Sequence, residues 1–214
     1  MSSRDTTIGE FEKTYVTMRF ERAGLFELIA DAFQPQEVLY PGCATHITPA
    51  CFFPHTVFVD RDPGVCEFFA DRETILDWVE RHKKYRRRPY IAFIHQDFTT
   101  PLPIRQGQFD LLLALYTGGI ARACKAYLKP GGLLVTNNHQ NDAVEAERDK
   151  QLSLMAVAQK RGDKYRLVDR DPGEHLRSKG RGSRSRHYLR RASSGLEYVE
   201  DESYYIFERE RSRR

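Results

Sequence analysis

Short apolar runs alternate with longer amphipathic stretches along this chain. The runs lie at residues 37–40, 56–60, 90–94, 109–115 and 133–136. Each is followed closely by glycine, proline, a carboxylate or an amide, which are turn formers. The run at 111–115 is continuously apolar, as expected for a parallel strand that is covered on both faces. The pattern therefore predicts five buried strands.

The stretches between and around the strands predict helices. Residues 14–33 place apolar side chains at a spacing of about 3.6 residues, which favours one leading helix that ends before Gln34 and Pro35. Further helices are predicted at 48–53, 120–128 and 142–161, and residues 63–85 form one helix or two that break near Asp71. A sixth strand at 165–168 and a terminal hairpin of 196–199 with 204–207 complete the prediction.

Strands that alternate with helices indicate parallel βαβ units. We predict an α/β fold with a doubly wound, mostly parallel sheet, helices on both faces and an antiparallel C-terminal edge hairpin. The 214 residues, 40% of them hydrophobic, suffice for one core, so a single domain over 1–214 is expected. Residues 1–36 form its helical lead-in, and 172–194 form a long irregular segment.

Composition narrows the class of protein. The longest apolar runs are far shorter than the roughly 20 residues that span a bilayer, and none has the context of a signal peptide, so we expect a cytoplasmic protein. Its four cysteines form no C-x-x-C pair and are expected to be buried thiols, with no metal site. The net charge of +4 is modest, which argues against a dedicated nucleic-acid-binding protein.

Basic residues are concentrated in two places. One is the run Arg86, Arg87 and Arg88, and the other is the stretch 177–191, which holds seven arginines and lysines. Such a stretch is either a solvated, mobile loop or a segment that closes over an anionic ligand or guides RNA. The sequence leaves these alternatives open.

Ligands of an open parallel sheet bind beyond the carboxyl ends of its strands. After the first strand come Gly42 and Ala44, whose small size lets a ligand approach the backbone. Asp60 ends the second strand, and its carboxylate can accept hydrogen bonds from both hydroxyls of a ribose. Asp97 follows the third strand, and Tyr116 follows the fourth. These residues predict the site.

Five segments in this order resemble class I, Rossmann-like S-adenosylmethionine-dependent methyltransferases. They are VLYPGCATHITPA at 38–50, VFVDRDP at 57–63, IHQDFTTPLP at 94–103, FDLLLALYTGG at 109–119 and YLKPGGLLVTNN at 127–138. The resemblance implies a cofactor-binding core over 37–142 and S-adenosylmethionine as the cofactor. The first segment departs from the family, which usually has an acid at the position of Tyr40 and glycines at those of Ala44 and His46.

The resemblance also implies roles for individual residues. Tyr40, Gly42 and Ala44 would lie on the methionine and ribose side of the cofactor, and Asp60 would hold the ribose hydroxyls. Asp97 with Phe98 would receive the adenine, and Tyr116 would border the sulfonium. Two histidines are candidate bases, since an ordinary imidazole titrates near neutral pH: His46 in the first loop and His139 after the fifth strand.

The predicted activity is methyl transfer to a small-molecule acceptor. An anionic acceptor would suit the basic stretch 177–191 if that stretch closes over it. The segment after the fourth strand lacks the Asn-Pro-Pro-Tyr type of signature that holds a planar nitrogen, which argues against modification of a nucleobase. The altered first loop leaves an alternative: a catalytically silent protein of this fold that binds a protein or a nucleic acid. A nicotinamide-dependent dehydrogenase ranks lower because G-x-G-x-x-G is missing.

Overall fold

The computed structural model describes residues 3–161, 164–168, 188–192, 195–199 and 203–211. Its ten strands are β1 (Glu37–Pro41), β2 (His55–Asp60), β3 (Tyr90–His95), β4 (Phe109–Ala114), β5 (Leu128–Thr136), β6 (Leu152–Arg161), β7 (Lys164–Val168), β8 (Tyr188–Ala192), β9 (Gly195–Val199) and β10 (Ser203–Arg209). Its α-helices are α1 (Ser3–Phe11), α2 (Ala23–Phe33), α3 (Pro63–Ala70), α4 (Arg72–His82), α5 (Ile120–Cys124) and α6 (Asp142–Arg148).

Eight of these strands form one sheet, in the order β3-β2-β1-β4-β5-β10-β6-β7. The pairs from β3 to β5 are all parallel, whereas β10 is antiparallel to β5 and to β6. The predicted α/β fold with a mostly parallel sheet is confirmed. Strand order reverses between β1 and β4, so the crevice of this sheet lies at their carboxyl ends.

The sheet is buried because successive side chains of its central strands face opposite layers. Leu111 and Leu113 pack into one hydrophobic cluster, which also receives Phe26 of α2. Leu112 and Ala114 pack into a second cluster on the other face. This explains the continuous apolar run of β4, since a strand covered on both faces has no solvent-facing position.

The predicted leading helix over 14–33 is wrong in its first half. A π-helical turn at Glu12–Val16 follows α1, and α2 begins only at Ala23. Arg19 and Arg22 have positive φ angles of 56° and 52°, which a right-handed helix does not accommodate. The apolar spacing continues across this break, which is why the pattern alone predicted one helix.

The predicted helix over 142–161 is also wrong beyond its first two turns. Helix α6 ends at Arg148, and the Asp149 carboxylate then accepts the Gln151 backbone N–H at 3.0 Å in a turn. Strand β6 follows because its backbone pairs with β10 on one side and β7 on the other. That partnership between distant segments overrides the local helical pattern.

The antiparallel hairpin at the edge of the sheet is formed by β6 and β7, not by 196–199 and 204–207 as predicted. Residues 204–207 belong to β10, inside the sheet, whereas β9 pairs with β8 in a separate two-stranded sheet. The prediction of an irregular segment over 172–194 is wrong at Tyr188–Ala192, which is β8. Residues 172–187 and 193–194, with most of the basic stretch 177–191, lie outside the described residues.

Two local predictions are confirmed: the break near Asp71 and the burial of three of the four cysteines. Helices α3 and α4 break at Asp71, whose carboxylate caps α4 by accepting the Thr74 backbone N–H. Cys43, Cys51 and Cys124 are buried thiols, and Cys66 is half-buried. None of the helices in the described ranges is long and apolar enough to cross a membrane.

Candidate functional site

An open cleft of about 430 Å³ lies at the carboxyl ends of β1 to β4. It is lined by Gly42, Ala44, Asp60, Arg61, Asp62, Val65, Asp97, Phe98, Thr99 and Thr117. Five of these residues, from three separate loops, were predicted to hold a cofactor. The structure therefore brings together most of the predicted binding residues.

Two residues of the loop after β1 have a left-handed backbone conformation. Gly42 has a φ angle of 61° and Ala44 one of 47°, and the Gly42 N–H donates to the Val59 carbonyl at 2.8 Å. A Cβ atom at position 42 would lie 2.7 Å from Thr117 Oγ1. Glycine is thus required at this position both by backbone conformation and by the close approach of the β4 loop.

Asp60 connects this loop to the one after β2. One carboxylate oxygen accepts the Ala44 N–H at 2.9 Å, and the other accepts the Asp62 N–H at 3.0 Å. The Asp62 side chain in turn accepts the Gly64 and Val65 N–H groups and caps α3. Each oxygen of a carboxylate has two lone pairs, so Asp60 retains acceptor capacity toward the cleft.

Asp97 follows β3, the neighbour of β2, and lines the same cleft as Asp60. One of its oxygens accepts the Thr99 N–H and hydroxyl at 2.9 and 2.7 Å, and the other accepts Arg61 at 2.8 Å. The Thr99 N–H, then the Thr99 hydroxyl and Arg61, lower the pKa of Asp97 below its usual range. Phe98 packs partly into the second core cluster and supplies an apolar wall.

Tyr40 and His46 lie behind the cleft and do not line it. Both are buried, and the Tyr40 hydroxyl meets His46 Nδ1 at 3.1 Å, while Nε2 lies 3.0 Å from the Glu21 carbonyl. Tyr15 stacks on the imidazole with ring centroids 4.5 Å apart. Burial, helped by Arg22, lowers the pKa of His46 to about 3. Both ring nitrogens therefore face protein atoms, and burial favours the neutral imidazole.

Tyr116 precedes Thr117, which lines the cleft, and has a φ angle of 59°. Its hydroxyl lies 3.2 Å from that of Tyr204 in β10. Arg22 lies over the Tyr116 ring at 4.0 Å, and its Nε donates to the Tyr204 hydroxyl at 2.8 Å. Sequence reasoning missed Arg22 and Tyr204, because nothing local indicates that residues 182 positions apart are in contact.

His139 lies in the loop after β5 and is half-buried, with its ring centroid 6.2 Å from that of Tyr116. The loops after β4 and β5 are joined at two points. Asn137 accepts the Tyr116 N–H at 3.2 Å, and Asp142 accepts the Gly119 N–H at 3.1 Å. Burial raises the pKa of the Asp142 carboxyl to about 6.

Strained backbone is concentrated at this edge of the sheet. Five residues other than glycine have positive φ angles in the loops after β1, β4 and β5: Ala44, Tyr116, Asn138, Gln140 and Asn141. Each such conformation costs of order 1 kcal/mol and persists where the surrounding structure imposes it, often at functional sites. The strain therefore supports the assignment of the cleft as the site.

Comparison with known proteins gives the fold a context. No protein-family model matches the sequence, and no similar sequence is found among curated proteins. Similar solved structures include a possible histamine N-methyltransferase of Thermotoga maritima, with a TM-score of 0.52, 11% identity and 97% and 98% of the two chains covered. A methyltransferase of Geobacter sulfurreducens aligns with a TM-score of 0.51, 12% identity and coverage of 98% and 92%.

The N-methyltransferase NodS of Bradyrhizobium japonicum aligns with a TM-score of 0.50, 14% identity and coverage of 91% and 98%. At such identities the similarity establishes the fold. The chain has the Rossmann-like fold of class I S-adenosylmethionine-dependent methyltransferases, as the sequence segments predicted.

Proposed function

We propose that this protein binds S-adenosylmethionine in the cleft and transfers its methyl group to a small molecule. One observation carries the proposal: the Asp60 carboxylate lies at the end of β2, in one cleft with the Gly42–Ala44 turn and with Asp97. This arrangement of an acid beside a small-residue turn at the strand ends suits a ribose-bearing ligand.

The residues of the cleft fit the parts of such a ligand. Asp60 would accept the two ribose hydroxyls while it continues to hold the loop through Ala44. Phe98 and Val65 would provide apolar surface for the adenine ring, and Asp97 would accept its amino group once Arg61 moves aside. Gly42 would let the ligand approach the backbone closely.

Tyr40 and Tyr116 would act at the methionine end. Tyr40 would act indirectly, because its hydroxyl fixes His46 and thereby the turn from Cys43 to His46. Tyr116 would border the sulfonium, with its ring held by Arg22 and its hydroxyl by Tyr204.

The bound cofactor would supply an electrophilic methyl group, and the protein would chiefly align the acceptor with it. His139 is the histidine that we propose as the base, since it is half-buried in a loop beside Tyr116. His46 fits that role less well, because it is buried and both of its ring nitrogens lie within hydrogen-bond distance of protein atoms.

A small acceptor suits a cleft of about 430 Å³ that must also hold the cofactor. The residues after β4 are Leu-Tyr-Thr-Gly-Gly and carry no motif for a planar nitrogen. Attraction of an anionic acceptor by the basic stretch 177–191 is part of the proposal. So is a cytoplasmic location, which the free thiols favour because disulfides are rare there.

A catalytically silent protein of this fold that acts as a protein- or nucleic-acid-binding module is the second candidate. One observation favours it. By the sequence resemblance, Tyr40 and His46 stand where the first loop of methyltransferases has an acid and a glycine, and here the two side chains are buried against each other. Such a protein would retain the fold and bind a protein or nucleic acid through its surface.

Calorimetric titration with S-adenosylmethionine and S-adenosylhomocysteine tests the proposal. The wild-type protein should bind both ligands in the micromolar range, and Asp60→Asn should weaken binding about tenfold, since a charged acceptor is lost. Asp77→Asn, which removes an exposed carboxylate on α4, should leave affinity unchanged. Absence of binding at millimolar ligand would refute the cofactor proposal and leave the second candidate.

A screen for methyl transfer from radiolabelled cofactor to small acceptors tests the enzymatic part. With an acceptor in hand, His139→Gln should lower kcat by about 100-fold while cofactor affinity stays the same. An unchanged kcat across the pH range would exclude His139 as the base.

A further inference from the structure

A cationic surface, formed by residues 81–88, extends from the last turn of α4 to the segment before β3. Its exposed members are Arg81, His82, Lys84, Arg86, Arg87 and Arg88. Lys83 is paired with Glu80 at 2.6 Å. Within the described parts of the chain, none of the exposed arginines and lysines of this surface forms an ion pair, and the next acid after Glu80 is Asp97. Unpaired like charges repel one another, so this surface favours an anionic partner.

The surface adjoins a groove of about 400 Å³ that is lined by the cations Lys83, Arg86 and Arg88 and, on its α4 side, by the carboxylates Asp77 and Glu80. Because residues 81–88 precede β3, the cationic surface lies at the opposite end of that strand from the cleft. The positive charge therefore does not belong to the candidate site.

An exposed aromatic ring follows the cationic surface directly. Tyr90 is 50% exposed, although it is a large side chain, and its ring centroid lies 4.2 Å from that of His55. Tyr90 lines a second groove of about 350 Å³, together with Arg72 and Phe93. An exposed ring held by His55, in a groove that Arg72 also lines, offers a stacking platform for a flat apolar group.

The outer edge of β3 connects this surface to the cleft. β3 is the edge strand of the sheet, and its six residues extend over roughly 20 Å. Along β3, the rings of Phe93 and His95 are stacked with centroids 6.4 Å apart. His95 Nε2 lies 3.1 Å from the Arg61 carbonyl. Arg61 lines the cleft. Tyr90 and Phe93 are an odd number of residues apart and face opposite sides of the sheet, so the backbone edge of β3, and not a row of side chains, runs from one region to the other.

We propose that the cationic surface 81–88 and Tyr90 form a binding surface for single-stranded nucleic acid. The arginines would pair with phosphates, whose geometry suits planar guanidinium groups, and Tyr90 would stack on a base. An acidic peptide would satisfy the arginines but would make no use of the exposed ring. The residues of this surface do not line the cleft, so the inference does not depend on cofactor binding; it gives the second candidate function a specific surface.

Fluorescence anisotropy with a fluorescein-labelled 15-nucleotide oligouridylate tests the inference. The triple variant Arg86→Gln/Arg87→Gln/Arg88→Gln should bind at least tenfold more weakly at low salt, with a shallower dependence of affinity on salt concentration. A matched control, Arg105→Gln/Arg148→Gln/Lys150→Gln, removes equal charge from exposed positions elsewhere. Its affinity should stay within about threefold of wild type, since its cations lie outside the proposed surface.

Stacking is tested separately. Tyr90→Ala should weaken oligonucleotide binding about tenfold, whereas Tyr90→Phe, which keeps the ring, should retain it. Equal loss in both triple variants would overturn the proposal, as would a wild-type protein that does not bind. An unaffected Tyr90→Ala variant, together with displacement of the oligonucleotide by polyglutamate, would show a general polyanion surface and would also overturn it. No adenosyl ligand is present, so failure here is distinct from failure of cofactor binding.

Discussion

The carboxylate of Asp60 accepts the backbone N–H of Ala44 at 2.9 Å, which ties the end of β2 to the loop after β1. Ala44 has a left-handed backbone with a φ angle of 47°, which is unfavourable for a residue with a Cβ atom. The hydrogen bond thus stabilises a strained turn at the wall of the cleft, and Asp60 shapes the site as well as facing it.

Substitutions at positions 42 and 44 should change the stability of the protein in opposite directions. Gly42→Ala should lower the free energy of unfolding by about 2 kcal/mol or more, because a Cβ atom meets Thr117 Oγ1 and the backbone is left-handed. Ala44→Gly should be neutral or stabilising by up to about 1 kcal/mol, since strain is relieved. Urea denaturation measures both variants.

Thr117→Ala is the control for this interpretation. In the Gly42→Ala background it should recover part of the lost stability, because it removes the nearest atom. If the double variant is no more stable than Gly42→Ala alone, contact with Thr117 is not the cause.

His46 should make the protein less stable in acid. Its pKa in the folded protein is about 3, below the ordinary 6.5, so the unfolded chain binds the proton more readily. Its contribution to stability is complete above pH 6.5 and declines as the pH falls toward 3, by at most about 1.4 kcal/mol per pH unit. Denaturation of wild type and His46→Gln between pH 4 and 8 should show a difference that shrinks in acid. Parallel curves would contradict this expectation.

Asp142 should have the opposite pH dependence. Its folded pKa is raised to about 6 from 3.8 by burial, so the native state holds the proton more tightly. The stability that it contributes is complete below about pH 4 and is lost as the pH rises through 6. Asp142→Asn, which can still accept the Gly119 N–H, should remove this decline. Carbon-detected NMR titration of the wild-type carboxyl gives an independent check, and a midpoint near 4 would refute it.

Tyr204→Phe should destabilise the protein by about 1–3 kcal/mol. The hydroxyl is buried, accepts from Arg22 Nε at 2.8 Å and lies 3.2 Å from the Tyr116 hydroxyl, so its removal takes a partner from a buried cation. Tyr90→Phe removes an exposed hydroxyl and should change thermal stability little. Equal effects of the two variants would exclude a special role for the Tyr204 contact.

The existence of strands β1 to β5, and the residues that line the cleft at their ends, were predictable because their causes are local; the first half of β5, from Leu128, was not predicted. Apolar runs indicate strands covered on both faces, and glycine, proline or aspartate after each run indicates where it ends. Gly42, Asp60 and Asp97 could be selected because parallel strands present their carboxyl ends at one edge. The short neighbours that also line the cleft, such as Thr99 and Thr117, carry no comparable pattern.

The sequence by itself determined the alternation of strands and helices over the first five strands, and the placement of one acid at the end of β2 and another after β3. Only the tertiary structure decided that β10 lies inside the sheet, that 152–161 is a strand, and that His46 is enclosed by Tyr40 and Tyr15. It also brought Arg22 to Tyr204. These outcomes depend on contacts between distant residues and on desolvation, which the spacing of apolar positions does not encode.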